Sequence, residues 1–305
     1  MSSHRVLVAD PISEHGVTLL NDHPDITADF IPDLGSQPDK LMEIIGDYDA
    51  LIVRSQTKPN AEVIARGSRL RAIGRAGVGV DNIDREAASA HGVIVMNTPT
   101  GNTVSTAEHA FALMLATARN IAPAHAGVLA GDFKSSRKAF SGIEMNGKRL
   151  AVIGMGRIGS EFVKRAQGFN MKVIAFDPFL TQARADELKI ELADSPDTAL
   201  AGADVVTLHV PLTDDTRHII NADRLALMNK GGLVVNCARG GLIDESALKA
   251  AIDSGHIAGC ALDVYENEPP SPDHPLFSCQ KHIAFTPHLG ASTACLLYTS
   301  DAADE

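Results

Sequence analysis

A glycine-rich segment near the middle of the chain, Gly154–Gly159 (GMGRIG), restricts the possible folds more than any other feature. It follows the apolar run Leu150–Ile153 and precedes a stretch with apolar residues at helical spacing. A second apolar run, Val173–Phe176, then ends at Asp177. Strand, glycine turn, helix, strand and terminal acid is the order of a dinucleotide-binding βαβ unit. We therefore predict a Rossmann-type parallel sheet with a dinucleotide site at this turn.

The glycines and the terminal acid have distinct expected roles. Gly154 permits the tight turn, Gly156 lets the backbone approach a pyrophosphate, and Gly159 lets the helix pack close to the sheet. The helix N-terminus offers free N–H groups and a partial positive charge to the phosphates. Asp177 would accept hydrogen bonds from ribose hydroxyls and repel a 2′-phosphate, so we expect NAD rather than NADP.

Composition narrows the class of protein further. The length of 305 residues suits two domains, and the net charge of −11 argues against a nucleic acid or an anionic membrane as partner. No apolar run is long enough to span a membrane, and no signal peptide precedes the first strand. The four cysteines show no CxxC pairing, so we expect neither a metal site nor disulfides, and a cytoplasmic location.

Strands and helices alternate on both sides of residue 100, which predicts two doubly wound α/β domains with parallel sheets. A Rossmann NAD-binding domain at residues 100–286 is inserted into a smaller, flavodoxin-like substrate domain made of residues 1–99 and 287–294. Ser105 and Glu108 have capping-box spacing and predict the start of a helix that ends at Arg119. The predicted strands are Arg5–Ala9, Asp25–Ile31, Ala50–Val53, Leu70–Gly74, Val93–Met96, Leu150–Ile153, Val173–Phe176, Val205–Leu208, Leu233–Asn236, Ala258–Val264 and Ile283–Phe285.

The last eleven residues, 295–305, show neither a helical nor a strand period. Their codons can be written to match the end of a transposase-type sequencing-library adapter. We therefore interpret this segment as a non-native tail, and we expect native sequence to stop at Ala294.

Three polar side chains lie where the chain leaves strands of the second domain, the edge at which open α/β sheets hold ligands. They are Arg239, Glu268 and His288. Arg239 offers a planar fork suited to a carboxylate, and His288 would remove a hydroxyl proton while hydride leaves for a nicotinamide. Glu268 would orient the imidazole and raise its pKa. This set predicts oxidation of an alcohol that carries a neighbouring carboxylate.

Motifs spread over most of residues 4–293 resemble the D-isomer-specific 2-hydroxyacid dehydrogenases. The stretches that match are Val53–Ser55, Gly74–Asn82, Asn97–Pro99, Asn102–Glu108, Gly154–Gly159, Asn236–Arg239, Ala261–Val264 and Pro287–Ser292. The resemblance is nearest to members that oxidise 3-phospho-D-glycerate. It implies an NAD-dependent enzyme and a homodimer or larger assembly formed through the NAD-binding domain. The family's chain continues past the matched region, which also suggests a C-terminal truncation.

The resemblance also implies roles for individual residues. The family's catalytic Arg, Glu and His fall on Arg239, Glu268 and His288. Cofactor contacts, beyond the three glycines, Arg239 and His288, fall on Arg157, Ile158, Asp177, Val210, Cys237, Ala238, Asp263, Gly290 and Ala291. Substrate contacts fall in the first domain, on Arg54, Ser55, Arg75, Ala76 and Gly77.

The sequence leaves two alternative functions open. Within the same class, the chain would reduce glyoxylate, hydroxypyruvate or another D-2-hydroxyacid precursor. In a different class, it would be a corepressor-like NAD sensor that keeps the fold for partner binding. The intact Arg, Glu and His set favours an enzyme.

Overall fold

A computed structural model describes residues 4–293 of the chain. They divide into two compact units: residues up to Asn102 with the short stretch that begins at Ala291, and Thr103–Gly290. The sequence predicted these two domain boundaries slightly earlier, after residue 99 and after residue 286. The tail predicted to be non-native lies outside the described residues. Within residues 4–293, no helix is both long enough and apolar enough to cross a bilayer.

The first unit contains a five-stranded parallel sheet with four helices. Its strands are β1 (His4–Val8), β2 (Ile26–Phe30), β3 (Ala50–Val53), β4 (Ala72–Arg75) and β5 (Ile94–Asn97), and its helices are α1 (Glu14–Asp22), α2 (Pro38–Ile44), α3 (Ala61–Arg66) and α4 (Arg85–Ala90). The spatial order β2-β1-β3-β4-β5 is the flavodoxin-like order, with its switch point between β1 and β3. Apolar side chains such as Leu7, Leu51 and Ile73 fill its core.

The second unit contains a seven-stranded parallel sheet. Its strands are β6 (Arg149–Ile153), β7 (Lys172–Phe176), β8 (Glu191–Leu192), β9 (Val205–Leu208), β10 (Gly232–Asn236), β11 (Ile257–Leu262) and β12 (Ile283–Phe285). Its helices are α5 (Thr103–Ala118), α6 (Ile121–Leu129), α7 (Phe133–Ala139), α8 (Arg157–Gly168), α9 (Gln182–Leu188), α10 (Pro196–Leu200), α11 (Ala222–Leu227) and α12 (Glu245–Asp253).

The order β12-β11-β10-β9-β6-β7-β8 is the Rossmann order with one strand added, and it reverses between β6 and β9. Separate apolar clusters cover the two faces of this sheet, so its strands are buried on both sides. Both predicted doubly wound domains are therefore confirmed.

Three local features differ from the sequence prediction. Helix α5 begins at Thr103, so Ser105 lies in its first turn and does not cap it. A turn at residues 101–102 leads directly into the helix, which therefore starts two residues before the predicted cap. Strand β8 was not predicted, because two residues are too few to show a strand period. Strand β11 ends at Leu262, which leaves Asp263 and Val264 on the loop beyond the sheet.

Candidate active site

The glycine turn lies at the carboxyl end of β6, beside the switch point of the second sheet. Gly154 has φ +98°, and a Cβ built there would lie 2.6 Å from the carbonyl oxygen of His209 and 2.7 Å from Cγ1 of Val210. A Cβ on Gly159 would lie 2.2 Å from the carbonyl oxygen of Gly154. Both positions therefore exclude larger residues, whereas a Cβ on Gly156 would point into open space. That space and the N-terminus of α8 fit a pyrophosphate.

Arg157 and Ile158 are the first two residues of α8, directly after the glycine turn. The Arg157 side chain is exposed, whereas Ile158 packs against the core. The structure thus brings both residues and Val210 to the same edge as the turn. These positions can contact a bound dinucleotide.

Asp177 follows β7, and its carboxylate is tied to the glycine turn. Oδ2 accepts from the backbone N–H of Met155 at 2.7 Å, and Oδ1 accepts from the N–H of Phe179 at 2.8 Å. Each oxygen of an ionised carboxylate can accept a further hydrogen bond, so ribose hydroxyls can still bind here. The bond to Met155 was not expected from the sequence.

The loop after β10 carries Arg239 and is organised by Asn236. The Asn236 side chain, which is buried, accepts from Ala238 N–H at 3.0 Å and donates to the carbonyl of Arg239 at 2.8 Å. Nη1 of Arg239 donates to the carbonyl of Ala238 at 2.7 Å. Cys237 is buried, and burial together with the charge of Asp263 raises the pKa of its thiol. The thiol of Cys237 is therefore neutral.

His288 and Glu268 form a hydrogen-bonded pair across the loops that follow β12 and β11. Nδ1 of His288 lies 2.8 Å from Oε2 of Glu268, and Oε1 of Glu268 accepts from the N–H of Tyr265 at 3.2 Å. The side chains are 50% and 38% exposed, so His288 is accessible to a ligand.

The charges around this pair shift both pKa values. The hydrogen bond that His288 donates to Glu268 raises the pKa of His288 and outweighs burial, which lowers it. The charge of Asp263 raises this pKa further, and the charge of Arg239 opposes the rise. Burial alone would raise the pKa of Glu268, but the bond with His288 holds it below its ordinary value. The three predicted catalytic residues follow the neighbouring strands β10, β11 and β12 at the carboxyl edge of the sheet.

Asp263, for which the resemblance implies a cofactor contact, anchors the loop that carries His288. Its carboxylate, fully buried, accepts from the N–H groups of Leu289 and Gly290 at 2.7 and 2.8 Å. It also accepts from the Thr286 hydroxyl at 2.6 Å and lies 3.1 Å from Nε2 of His109. Although burial alone would raise the pKa of Asp263, these bonds lower it. No signal in the sequence pointed to His109, which lies 154 residues away.

The predicted substrate residues all lie in the first unit, at the carboxyl ends of β3 and β4. These strands are neighbours with Val53 opposite Arg75, which brings Arg54 and Ser55 near Arg75, Ala76 and Gly77. Gly77 has φ +152°, and a Cβ there would lie 1.7 Å from Nη1 of Arg75. The Arg75 side chain therefore lies directly over Gly77.

Two residues that the sequence did not single out hold the loop that contains Arg54 and Ser55. The buried carboxylate of Asp10 accepts from the N–H of Arg54 at 2.6 Å and from the hydroxyl of Thr57 at 2.6 Å. Asn82 donates to the carbonyls of Arg54 and Thr57 at 2.7 and 2.8 Å. Two signals were available: Asp10 directly follows the first predicted strand, at the switch point, and Asn82 ends the matching stretch Gly74–Asn82.

Comparison with known proteins identifies the family. A family model described as D-isomer specific 2-hydroxyacid dehydrogenase, NAD binding domain, matches residues 111–290. The chain belongs to this family. Its cofactor is NAD, as the glycine turn and Asp177 predicted. Among residues 4–293, no group of three or more His, Cys, Asp or Glu side chains is arranged to hold a metal ion.

Several relatives are similar along nearly all of the chain. The D-3-phosphoglycerate dehydrogenases of Archaeoglobus fulgidus and Methanocaldococcus jannaschii are 48% and 47% identical over 289 residues, 95% of this chain. The chain spans about half the length of these curated relatives, 54% of each. A glyoxylate reductase from Paecilomyes thermophila superposes with a TM-score of 0.86 at 32% identity, covering 99% of this chain and 93% of that one.

Proposed function

We propose that the chain catalyses the NAD-dependent oxidation of 3-phospho-D-glycerate to 3-phosphooxypyruvate, a step of serine biosynthesis. The hydrogen-bonded pair of His288 and Glu268 at the carboxyl edge of the NAD-binding sheet is the observation that carries this proposal. The names of the relatives at 44–48% identity support the choice of substrate.

The hydrogen bond to Glu268 supports Nε2 as the nitrogen of His288 that reacts. Ionised Glu268 can only accept, so Nδ1 of His288 carries the proton of the pair. The lone pair of the neutral ring is then on Nε2, which takes the hydroxyl proton of the substrate as its carbonyl forms. Bound NAD would accept the hydride. The imidazolium that results is stabilised by Glu268, which is why the pair favours oxidation.

Arg239 is proposed to bind the carboxylate of the substrate. Asn236 and the carbonyl of Ala238 hold the backbone and the guanidinium of Arg239. A planar guanidinium can form two parallel hydrogen bonds with a carboxylate, which fixes the neighbouring carbinol carbon. We assign phosphate and further carboxylate contacts to the loops of Arg54–Ser55 and Arg75–Gly77 in the first unit.

We also propose that two copies of the chain associate through the NAD-binding unit. Helices α6 and α7 carry large apolar side chains that are exposed: Ile121, Val128, Leu129 and Phe133 are 51–76% exposed. Burial of such a patch against a second copy would stabilise a dimer. Sedimentation of the wild-type chain and of Leu129→Glu tests this, since a change to a monomer is expected for the variant.

The decisive experiment compares initial rates with several substrates. NADH formation with 3-phosphoglycerate and D-lactate, and NADH consumption with glyoxylate and hydroxypyruvate, should give the highest kcat/KM for 3-phosphoglycerate. His288→Ala should lower kcat by roughly 10²–10⁴-fold and still bind NADH. A preference for glyoxylate would favour the reductase, which the similarity to the Paecilomyes enzyme supports. NADH binding without turnover of any of these substrates would favour the NAD-sensor alternative.

A further inference from the structure

A buried hydrogen-bond network holds the turn that carries His288, residues Thr286–Gly290. The Asp263 carboxylate accepts hydrogen bonds from residues on either side of His288: the Thr286 hydroxyl and the N–H groups of Leu289 and Gly290. The N–H of His288 itself donates to the carbonyl of Asp263 at 2.9 Å. We call this segment the His288 turn.

Helix α5 contributes two side chains to the same network. Nε2 of His109 lies 3.1 Å from Oδ1 of Asp263 and 3.1 Å from the hydroxyl oxygen of Thr286. The hydroxyl of Thr106, one turn earlier on α5, donates to the carbonyl of Gly290 at 3.2 Å. Two side chains of one helix thus contact both ends of the His288 turn.

The protons available in the network identify His109 as a hydrogen-bond donor. Thr286 has one hydroxyl proton, and at 2.6 Å it is donated to Asp263. Ionised Asp263 has no proton to give, so the hydrogen between Nε2 of His109 and these oxygens belongs to His109. Its loss would leave a fully buried carboxylate with one donor fewer, and an unpaired buried polar group is costly.

The conformation of His288 explains why such support is needed. His288 has φ +55°, in the left-handed region that non-glycine residues rarely adopt. A strained residue keeps this conformation only when its surroundings fix it. In this conformation Nδ1 reaches Glu268.

We propose that His109 is a positioning residue which, through Asp263 and Thr286, keeps the His288 turn in the conformation that pairs His288 with Glu268. Its link to turnover rests on the proposed function, because that function assigns proton transfer to His288. Its effect on the turn does not depend on that assignment.

Three variants of the full chain test the proposal: His109→Leu, His109→Gln and, as a control, His15→Leu at an exposed histidine of the first unit. The Gln amide keeps a donor near the position of Nε2. Amide hydrogen exchange of the peptide that contains Leu289 and Gly290 should be faster in His109→Leu and remain like the wild type in the other two. With whichever 2-hydroxyacid the wild type oxidises, kcat of His109→Leu should fall by roughly 10²-fold, with little change in NADH affinity.

Two results would overturn the positioning role. One is unchanged exchange and unchanged kcat in His109→Leu. The other is a parallel loss of NADH affinity and thermal stability that His109→Gln fails to rescue, since this would make the role a purely structural one. If the wild type oxidised none of the substrates, the proposed function would fail, and hydrogen exchange alone would still decide the role of His109.

Discussion

Because α8 packs closely against the glycine turn, alanine substitutions at two glycines of this helix, Gly159 and Gly168, should change stability in opposite directions. A Cβ on Gly159 would lie 2.2 Å from the carbonyl oxygen of Gly154, whereas ordinary contact begins at 3.4 Å. Gly159→Ala therefore requires the helix and the turn to separate by about 1 Å. Gly168, the last residue of the same helix, is exposed, and a Cβ there would meet nothing within 4 Å.

The two substitutions should change stability in opposite directions. Overpacking at Gly159 costs about 1–3 kcal/mol, partly offset by about 0.5–1 kcal/mol from the loss of glycine flexibility. The net loss is about 0.5–2 kcal/mol, and a unit of this size changes its Tm by roughly 2–4 °C per kcal/mol, so Gly159→Ala should unfold about 1–8 °C lower. Gly168→Ala gains the flexibility contribution without the clash and should unfold roughly 1–4 °C higher.

Cofactor binding should separate the two variants as well. The turn that Gly159→Ala displaces is the one whose N–H at Met155 binds Asp177, so NADH affinity should fall. Because the chain contains no Trp, the fluorescence of NADH itself can be followed in a titration, beside thermal denaturation by circular dichroism. Equal melting temperatures for the two variants, or an NADH affinity that Gly159→Ala leaves intact, would refute this account of the turn.

Three further predictions concern charged side chains. Glu268→Gln should move the acidic limb of the kcat/KM profile to lower pH. The carboxylate of Glu268 raises the pKa of His288, and oxidation needs the neutral imidazole. Without that charge, the imidazole stays neutral to lower pH. Glu266→Gln is the matched control, because Glu266 pairs with His218 instead; an equal displacement of the limb in both variants would contradict the pairing. Asp177→Ala should weaken NAD binding and narrow its preference over NADP, measured as the ratio of kcat/KM values; equal turnover of both cofactors by the wild type would count against Asp177 as the selector. Asp10→Asn should raise KM for 3-phosphoglycerate and leave NADH affinity unchanged, because the amide presents two donors to a loop that needs acceptors. A parallel change in NADH affinity would show that Asp10 stabilises more than this loop.

The sequence by itself determined the two α/β units, the glycine turn and the edge of the sheet at which Arg239, Glu268 and His288 gather. These features are local or follow from topology. Buried parallel strands appear as apolar runs, and their carboxyl ends must meet at one edge. Identifying the strand exits was therefore enough to bring residues 239, 268 and 288 together.

Only the tertiary structure decided which groups hold those residues in place. The contacts of His109 with Asp263, of Asp10 with Arg54 and of Met155 with Asp177 join parts of the chain that lie between 22 and 154 residues apart. A hydrogen bond between distant residues leaves no period or spacing in the sequence, because its geometry exists only after the strands have been placed side by side. For the same reason, Asp263 is seen as an anchor of the His288 turn only when its buried donors are known.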